Sequence, residues 1–367
     1  MKYFIIAGEA SGDLHGANLI KSIKQKDSKA EFNFWGGDLM ANEATGLLQH
    51  FKEVAIMGFV EVLFRLPFIL KSIKKCKQQI TSFKPDVVVL IDYPGFNLRM
   101  AKFCKQNNLK VVYYIAPKVW AWKENRAKNL EKYVDELLLV FPFEFDYFKK
   151  WKIKSTYVGN PLLDEISNFK TKNNSFSNSS NRSIIALLPG SRKQEIEKTL
   201  PLMVQLADNY LQYQFVVCAA PSIDEIFYQK HVNQNCKIVF NQTYSVLNSA
   251  QAAIVCSGTA TLEVALFNVP QVCAYKANPF SIAIAKLFVK TKYISLVNLI
   301  LNKTAILELI QENFNLKNLQ LEFENILPGG KKYDQILLEY KNLQTILGDV
   351  GASDKSAEII FNLSRKS

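Results

Sequence analysis

The residues of this 367-residue chain best suited to chemistry sit where short apolar runs end in turns of small residues. In LLPGSRKQEIE, Leu187 to Glu197, Pro189 and Gly190 break a strand, Ser191 is placed to cap the helix that follows, and Arg192 stands in its first turn. In CSGTATLE, Cys256 to Glu263, the residues Ser257, Gly258 and Thr259 play the same part, and Glu263 lies deeper along the second helix. Such a turn leaves backbone N–H groups facing outward, and the helix dipole adds partial positive charge there. That combination holds phosphate, and an arginine beside it can grip two phosphate oxygens at once. A carboxylate further along the helix can accept hydrogen bonds from a ribose. Two such places in one half of a chain suggest a nucleotide diphosphate, although each motif alone also fits an ordinary βα turn.

Asp92 ends the run VVVLID, so its carboxylate emerges at a strand end with its body desolvated. Partial burial raises a carboxylate's pKa toward the range useful to a general base. Pro94, Gly95 and Asn97 then turn the chain into a helix, and the competing role for Asp92 is to cap it. GEASGDLHG, Gly8 to Gly16, adds Glu9 and Asp13 as further acids beside three glycines, whose simplest role is tight packing. Its spacing is not G-x-G-x-x-G, although Asp38 closes the second strand where a dinucleotide fold would want an acid. Neither half has an Asp-x-Asp pair or a histidine cluster. A leaving diphosphate would then be stabilised by Arg192, backbone N–H groups and helix dipoles, with neither metal nor cofactor.

The elements that must position these residues are short apolar runs alternating with amphipathic segments. The clearest runs are Tyr3–Ala7, Val87–Ile91, Val111–Ile115, Leu137–Phe141, Ile184–Leu188, Phe215–Ala219, Ile238–Phe240, Ala252–Cys256 and Val272–Tyr275. Near-continuous Val, Ile and Leu predicts parallel strands covered by helices on both faces. The fold class is α/β, with two doubly wound halves. Residues 1–168 form the first half and 183–340 the second; the Asn- and Ser-rich tract 169–182 reads as a linker or exposed loop. Residues 341–367 form C-terminal helices able to pack back on the first half. Every chemically suggestive turn lies at the carboxyl end of a strand, where open α/β sheets bind ligands. Two halves presenting these edges to each other would enclose a cleft.

Composition narrows the partners. Hydrophobic residues make up 49% of the chain, which excludes global disorder, and the formal charge of +12 points to an anionic partner. The basic residues form no stripe with interleaved aromatics, so nucleic acid is not expected. The six cysteines show no C-x-x-C pairing and read as buried reduced thiols. The three histidines are not at ligand spacing, so no metal site is expected. No apolar run reaches the length of a membrane span, and the apolar start at Tyr3–Ala7 is too short for a signal peptide.

The segment Met57 to Gln78 nevertheless carries apolar residues on more than one helical face. Met57, Phe59, Leu63, Phe64, Leu66 and Ile69 are the candidate acceptor or membrane contacts, and Lys71, Lys74 and Lys75 follow as a basic flank. That combination suits an anionic membrane interface. The alternative is a buried helix pair with a solvated basic end.

Read in order, GEASGD, AIMGFVEV (Ala55–Val62), LIDYPGFN (Leu90–Asn97), YYIAPKVWAWKENR (Tyr113–Arg126), VGNPLLD (Val158–Asp164), LLPGSR, SGTATLE and VKTKYISLVNLI (Val289–Ile300) closely resemble the lipid-A-disaccharide synthases. These are bacterial glycosyltransferases, and the resemblance runs from the first strand to about Leu309. It implies a GT-B-like architecture of two Rossmann-like domains, with the donor nucleotide held mainly by the second. It also implies transfer of 2,3-diacylglucosamine from its UDP derivative to the 6-hydroxyl of 2,3-diacylglucosamine 1-phosphate (lipid X). Inversion, absence of a metal, and a peripheral location on the cytoplasmic face of the inner membrane are implied with it. The family's essential aspartate, loop arginine and ribose-side glutamate map onto Asp92, Arg192 and Glu263. Asn160 stands where many members have His, Gly95 where many have Asp, and Val297 where many have Pro. The first departure argues against a titrating group at 160, and the second leaves Asp92 as the only carboxylate of its turn.

Two rivals define what would overturn this expectation. A UDP-sugar 2-epimerase shares the architecture, but a soluble sugar needs no apolar surface like that of Met57–Gln78. A non-catalytic, membrane-docking lipid-binding protein would not need Asp92, Arg192 and Glu263 together. The sequence leaves acyl-chain length and oligomeric state open, a homodimer being one candidate.

Overall fold

Unbroken runs of Val, Ile and Leu need cover on both faces, and helices on both sides of a parallel sheet supply it. The computed structural model describes residues 1–54, 66–117, 125–171, 176, 181–277 and 292–365. The chain divides into two units, Met1–Asp164 with Asp349–Ser367, and Glu165–Gly348. The first division falls inside helix Pro161–Thr171, ahead of the 169–182 tract. The second follows helix Tyr333–Leu347, so the first unit receives helix Ala352–Ser364 rather than everything after residue 340.

The first unit holds β1 (Lys2–Ala7), β2 (Glu31–Gly36), β3 (Leu47–His50), β4 (Val87–Ile91), β5 (Lys110–Tyr114), β6 (Glu136–Leu139) and β7 (Ser155–Tyr157). They pair in parallel in the order β3-β2-β1-β4-β5-β6-β7. The second unit holds β8 (Ile184–Leu188), β9 (Gln214–Ala219), β10 (Cys236–Phe240), β11 (Ala250–Cys256), β12 (Gln271–Tyr275) and β13 (Glu308–Ile310). Their order is β10-β9-β8-β11-β12-β13, again parallel.

Both orders share one property. The chain begins in mid-sheet, moves out to one edge, and returns to lay its next strand on the other side of the first. β4 therefore lies beside β1, with Ala7 paired to Ile91, and β11 lies beside β8, with Val255 paired to Leu188. At these two switch points the neighbouring crossovers leave in opposite directions, and a crevice opens at the carboxyl ends of the strands.

The central strands match the apolar runs, and β4 is wholly buried. The edge strands β3 (LLQH) and β13 (ELI) carry no such run, because an edge strand needs less cover. All six cysteines are buried and unpaired. No helix among the described residues is long and apolar enough to cross a membrane.

The start of the last helix is held to the first unit by a carboxylate. Asp164 accepts hydrogen bonds from the N–H groups of Gly351 (2.5 Å) and Ser353 (3.0 Å), at the start of helix Ala352–Ser364. That helix packs along helix Ala10–Lys26. Asp164→Ala should lower stability in urea by about 1–2 kcal/mol, the range for losing a helix N-cap. Amide exchange should then speed up first in Ala352–Ser364, and unchanged stability and exchange would deny Asp164 this role.

Candidate active site

At the first switch point the turns after β1 and β4 meet. Gly8, Glu9, Ser11, Gly12, Asp92 and Tyr93 line one small pocket there, so two of the three candidate acids come together. Glu9 is exposed and is the N-cap residue of helix Ala10–Lys26, with no side-chain cap bond. The third acid goes elsewhere. Asp13 is buried, and its carboxylate accepts the N–H groups of Gly37 (2.6 Å), Met40 (3.1 Å) and Leu39 (3.1 Å). It caps helix Asp38–Glu43 from outside that helix. A carboxylate already holding three backbone donors is a structural cap, which removes Asp13 from the candidate bases. Asp38 is exposed beside His50 and Lys52, at 3.4 and 3.6 Å.

The glycines of this turn are spaces for other side chains. A Cβ on Gly8 would lie 2.3 Å from the Tyr93 ring, and one on Gly16 would lie 2.6 Å from the Met40 sulfur. Asp92 itself has φ 42 and Tyr93 φ 48, consecutive left-handed residues with side chains. Each such conformation costs about 1–3 kcal/mol unless its surroundings hold it. The N-cap residue of helix Pro94–Gln106 is Tyr93, one residue after Asp92, without a side-chain cap bond. Asn97, expected only to help turn the chain, and Tyr113, which sequence reasoning did not single out, both donate to the Asp92 carbonyl oxygen. No spacing in the sequence marks Tyr113, which lies on a neighbouring strand.

At the second switch point Gly190–Arg192 follows β8 and Ser257–Thr259 follows β11, so both loops stand side by side. The sequence expectation needs one correction here. Helix Lys193–Asp208 has Arg192, not Ser191, as its N-cap residue, and Glu195 supplies the cap. Glu195 Oε2 accepts the N–H groups of Ser191 (3.1 Å) and Arg192 (3.3 Å), and Oε1 lies 3.4 Å from the Arg192 guanidinium. Those two amides are therefore occupied. An acid three residues beyond the N-cap is the signal that marks Glu195. Gly190 has φ 120 and could not carry a side chain without meeting Glu195. The Arg192 side chain is 69% exposed, available to an anion from solvent.

In the β11 loop, the Ser257 hydroxyl donates to the Ile294 carbonyl at 2.9 Å, Gly258 is open, and Thr259 is exposed as N-cap residue of helix Ala260–Leu266. Glu263 lies in the first turn of that helix, where burial pushes its carboxyl up to about 7. Burial, then the neighbouring Glu263 and Glu165, also push the Tyr244 hydroxyl up, so Tyr244 remains a neutral donor.

Of the apolar contact set, Met57, Phe59, Leu63 and Phe64 lie outside the described residues, as does the side chain of Leu66. Helix Leu66–Phe83 buries Ser72, Cys76 and Ile80. Phe68 (40%) and Leu70 (58%) are exposed near its start, and Ile69 is half-buried. Lys71, Lys74 and Lys75 are exposed, and Lys75 also donates to Gln49 Oε1 at 2.6 Å. Asn160 is buried, with Nδ2 donating to the Val140 carbonyl at 3.1 Å and Oδ1 accepting from the Leu162 N–H at 3.0 Å. Among the described residues no cluster of His, Cys, Asp and Glu could hold a metal ion.

The sequence pattern of the family described as lipid-A-disaccharide synthetase matches residues 3–360. The chain belongs to this family. The lipid-A-disaccharide synthase of Syntrophus aciditrophicus is 34% identical over 374 residues, covering 99% of this chain and 98% of the relative. That of Coxiella burnetii (strain CbuG_Q212) is 33% identical over 367 residues, covering 98% and 97%. Among solved structures, UDP-GlcNAc 2-epimerase from Neisseria meningitidis bound to UDP-GlcNAc gives a TM-score of 0.71 at 12% identity, covering 99% of this chain and 100% of that one. The glycotransferase of kitacinnamycin gives 0.65 at 10% identity, covering 99% and 98%. At such identities only the fold is shared, and it is the GT-B-like pair of Rossmann-like units expected from sequence. The family makes this chain a hexosyltransferase and leaves the epimerases as neighbours in architecture.

The raised carboxyl of Glu263 has a measurable consequence. An unfolded glutamate titrates near 4.5, so between there and about 7 the folded chain binds the extra proton. The stability this lends is complete below the lower value and lost as pH rises through the upper one. Urea unfolding across this window should show wild type losing stability relative to Glu263→Gln. Parallel curves for the two proteins would mean that Glu263 is hydrated and titrates normally.

Proposed function

We propose that this chain transfers 2,3-diacylglucosamine from its UDP derivative to the 6-hydroxyl of 2,3-diacylglucosamine 1-phosphate, inverting the anomeric carbon and releasing UDP. Membership of the family over nearly the whole length carries this reading. The placement of Asp92 at one switch point, and of Arg192 and Glu263 at the other, supports it.

In this reading Asp92 takes the proton of the acceptor hydroxyl as its oxygen attacks the anomeric carbon, and the bond to the diphosphate oxygen breaks with its electron pair. The Arg192 guanidinium, with the Ser257–Thr259 loop, takes up the charge that develops on UDP. Because Glu195 holds the Ser191 and Arg192 amides, the guanidinium rather than those amides is the group offered to phosphate. Glu263 accepts hydrogen bonds from the ribose. Glu9, on the same pocket as Asp92, is the next acid in line.

Incubation with labelled lipid X and the UDP-diacyl donor, followed by mass analysis, should yield the disaccharide. Asp92→Asn should cut turnover by about 10²–10⁴-fold and leave UDP affinity intact. Arg192→Ala should weaken UDP by about 1.5–3 kcal/mol, read by calorimetry. An Asn variant with more than half of normal turnover would move the base elsewhere, and unchanged UDP affinity would take Arg192 out of the donor site.

Both proposed substrates carry acyl chains, so the protein works at the inner face of the inner membrane without spanning it. The exposed Phe68 and Leu70, with Lys71 and Lys74 beside them, support contact with an anionic lipid surface. Phe68→Ser with Leu70→Ser should lower liposome binding and activity on long-chain substrates, and spare activity on short-chain soluble analogues. Equal loss on both substrate types with a lower Tm would mean that these residues support the fold instead.

A further inference from the structure

A base is useful only while its carboxylate stays aimed at one point, and Asp92 starts from a backbone that residues with side chains avoid. Its φ of 42 and that of Tyr93, 48, put two left-handed residues in succession directly after β4. Something must hold them there. The Asp92 carbonyl oxygen receives two side-chain hydrogen bonds, from the Tyr113 hydroxyl at 2.6 Å and from Asn97 Nδ2 at 2.8 Å. Tyr113 and Asn97 are both fully buried.

The two donors approach from different elements. Tyr113 belongs to β5, where it pairs with Leu90 of β4, so its hydroxyl reaches the turn from the neighbouring strand. Asn97 sits in the first turn of helix Pro94–Gln106, and its amide also reaches the carbonyls of Ile91 (3.1 Å) and Ile6 (3.4 Å). It thereby ties the ends of β4 and β1, the strands that flank the switch point. The Asp92 N–H closes the arrangement by donating to the Tyr114 carbonyl at 3.0 Å. With the Tyr93 ring seated against Gly8, the turn is held from three sides.

We propose that Tyr113 is a positioning residue for the transfer reaction: its hydroxyl, with the Asn97 amide, locks the left-handed turn that aims Asp92. This rests on the reading of Asp92 as the base. Burial and the nearby Asp92 push the Tyr113 phenol well up, with Arg126 pulling it partly back, so the hydroxyl remains a donor across the working range of pH.

Tyr113→Phe removes the hydroxyl and keeps the ring. Turnover should fall by roughly 10–100-fold, the scale of a small misplacement of a reacting group, while KM and UDP affinity stay within about twofold. In an Asp92→Asn background the same change should cost nothing further, because there is no base left to aim. Full turnover in Tyr113→Phe, or an equal loss in both backgrounds, would overturn the proposal, as would a parallel loss of UDP affinity. If thermal unfolding shows Tyr113→Phe to be unfolded, Asn97→Ser is put through the same comparison. Near-normal turnover in Asp92→Asn alone would instead sink the assignment of the base, an outcome read without reference to Tyr113.

Discussion

A right-handed crossover lays its helix on one face of a parallel sheet when the chain moves outward, and on the other face when it moves back. Where the two directions meet, neighbouring strands send their following loops apart and leave a crevice that no side chain of the sheet fills. This chain does so twice, between β1 and β4 and between β8 and β11. All the residues assigned to chemistry lie at one of these two places. The rest of each unit serves to keep those crevices in register, through fully apolar central strands and helices packed on both faces.

Carboxylates are the second theme, because parallel strands and many short helices leave numerous backbone N–H groups without partners. Asp13, Glu195 and Asp164 each satisfy two or three of them, as does Glu308 for Ile294 and Ser295. An acid spent in this way is held in place by those hydrogen bonds, and it has little capacity left for a substrate. Glu263 differs: its environment is desolvating, and its carboxyl is pushed up accordingly. The acids of this fold thus sort by hydrogen-bond partner rather than by position relative to a glycine motif.

Strain marks the remaining site. Asp92, Tyr93 and Ile115 all have positive φ at the ends of the adjacent strands β4 and β5. A β-branched residue in that region is rarer still. Such conformations persist only where tertiary contacts over-determine them. Here the contacts are the paired donors on the Asp92 carbonyl and the close seat of Tyr93 on Gly8. Gly8 and Gly16 of GEASGDLHG, whose simplest role in the sequence is tight packing, make room for Tyr93 and Met40.

The central strands, the α/β class and the gathering of special residues at strand ends were legible in sequence because each is a local property: an apolar run, a turn residue, a capping position. Eight ordered motifs were enough to indicate the family, and the roles proposed for Asp92, Arg192 and Glu263 start from their places in those motifs. The edge strands β3 and β13 were not visible, since a strand with one neighbour needs no continuous apolar run. Nor could the sequence distinguish Asp13 from Glu9, four residues away. The difference lies in Gly37, Leu39 and Met40, more than 20 residues along the chain, whose amides meet Asp13 only once β2 lies beside β1. The same holds for Tyr113 on the Asp92 carbonyl and for Asp164 at the last helix. Local sequence sets which conformations and which chemistries are available. Hydrogen-bond partners distant in sequence decide which acid becomes a cap, because a buried carboxylate has only the donors that the fold brings within 3 Å or so.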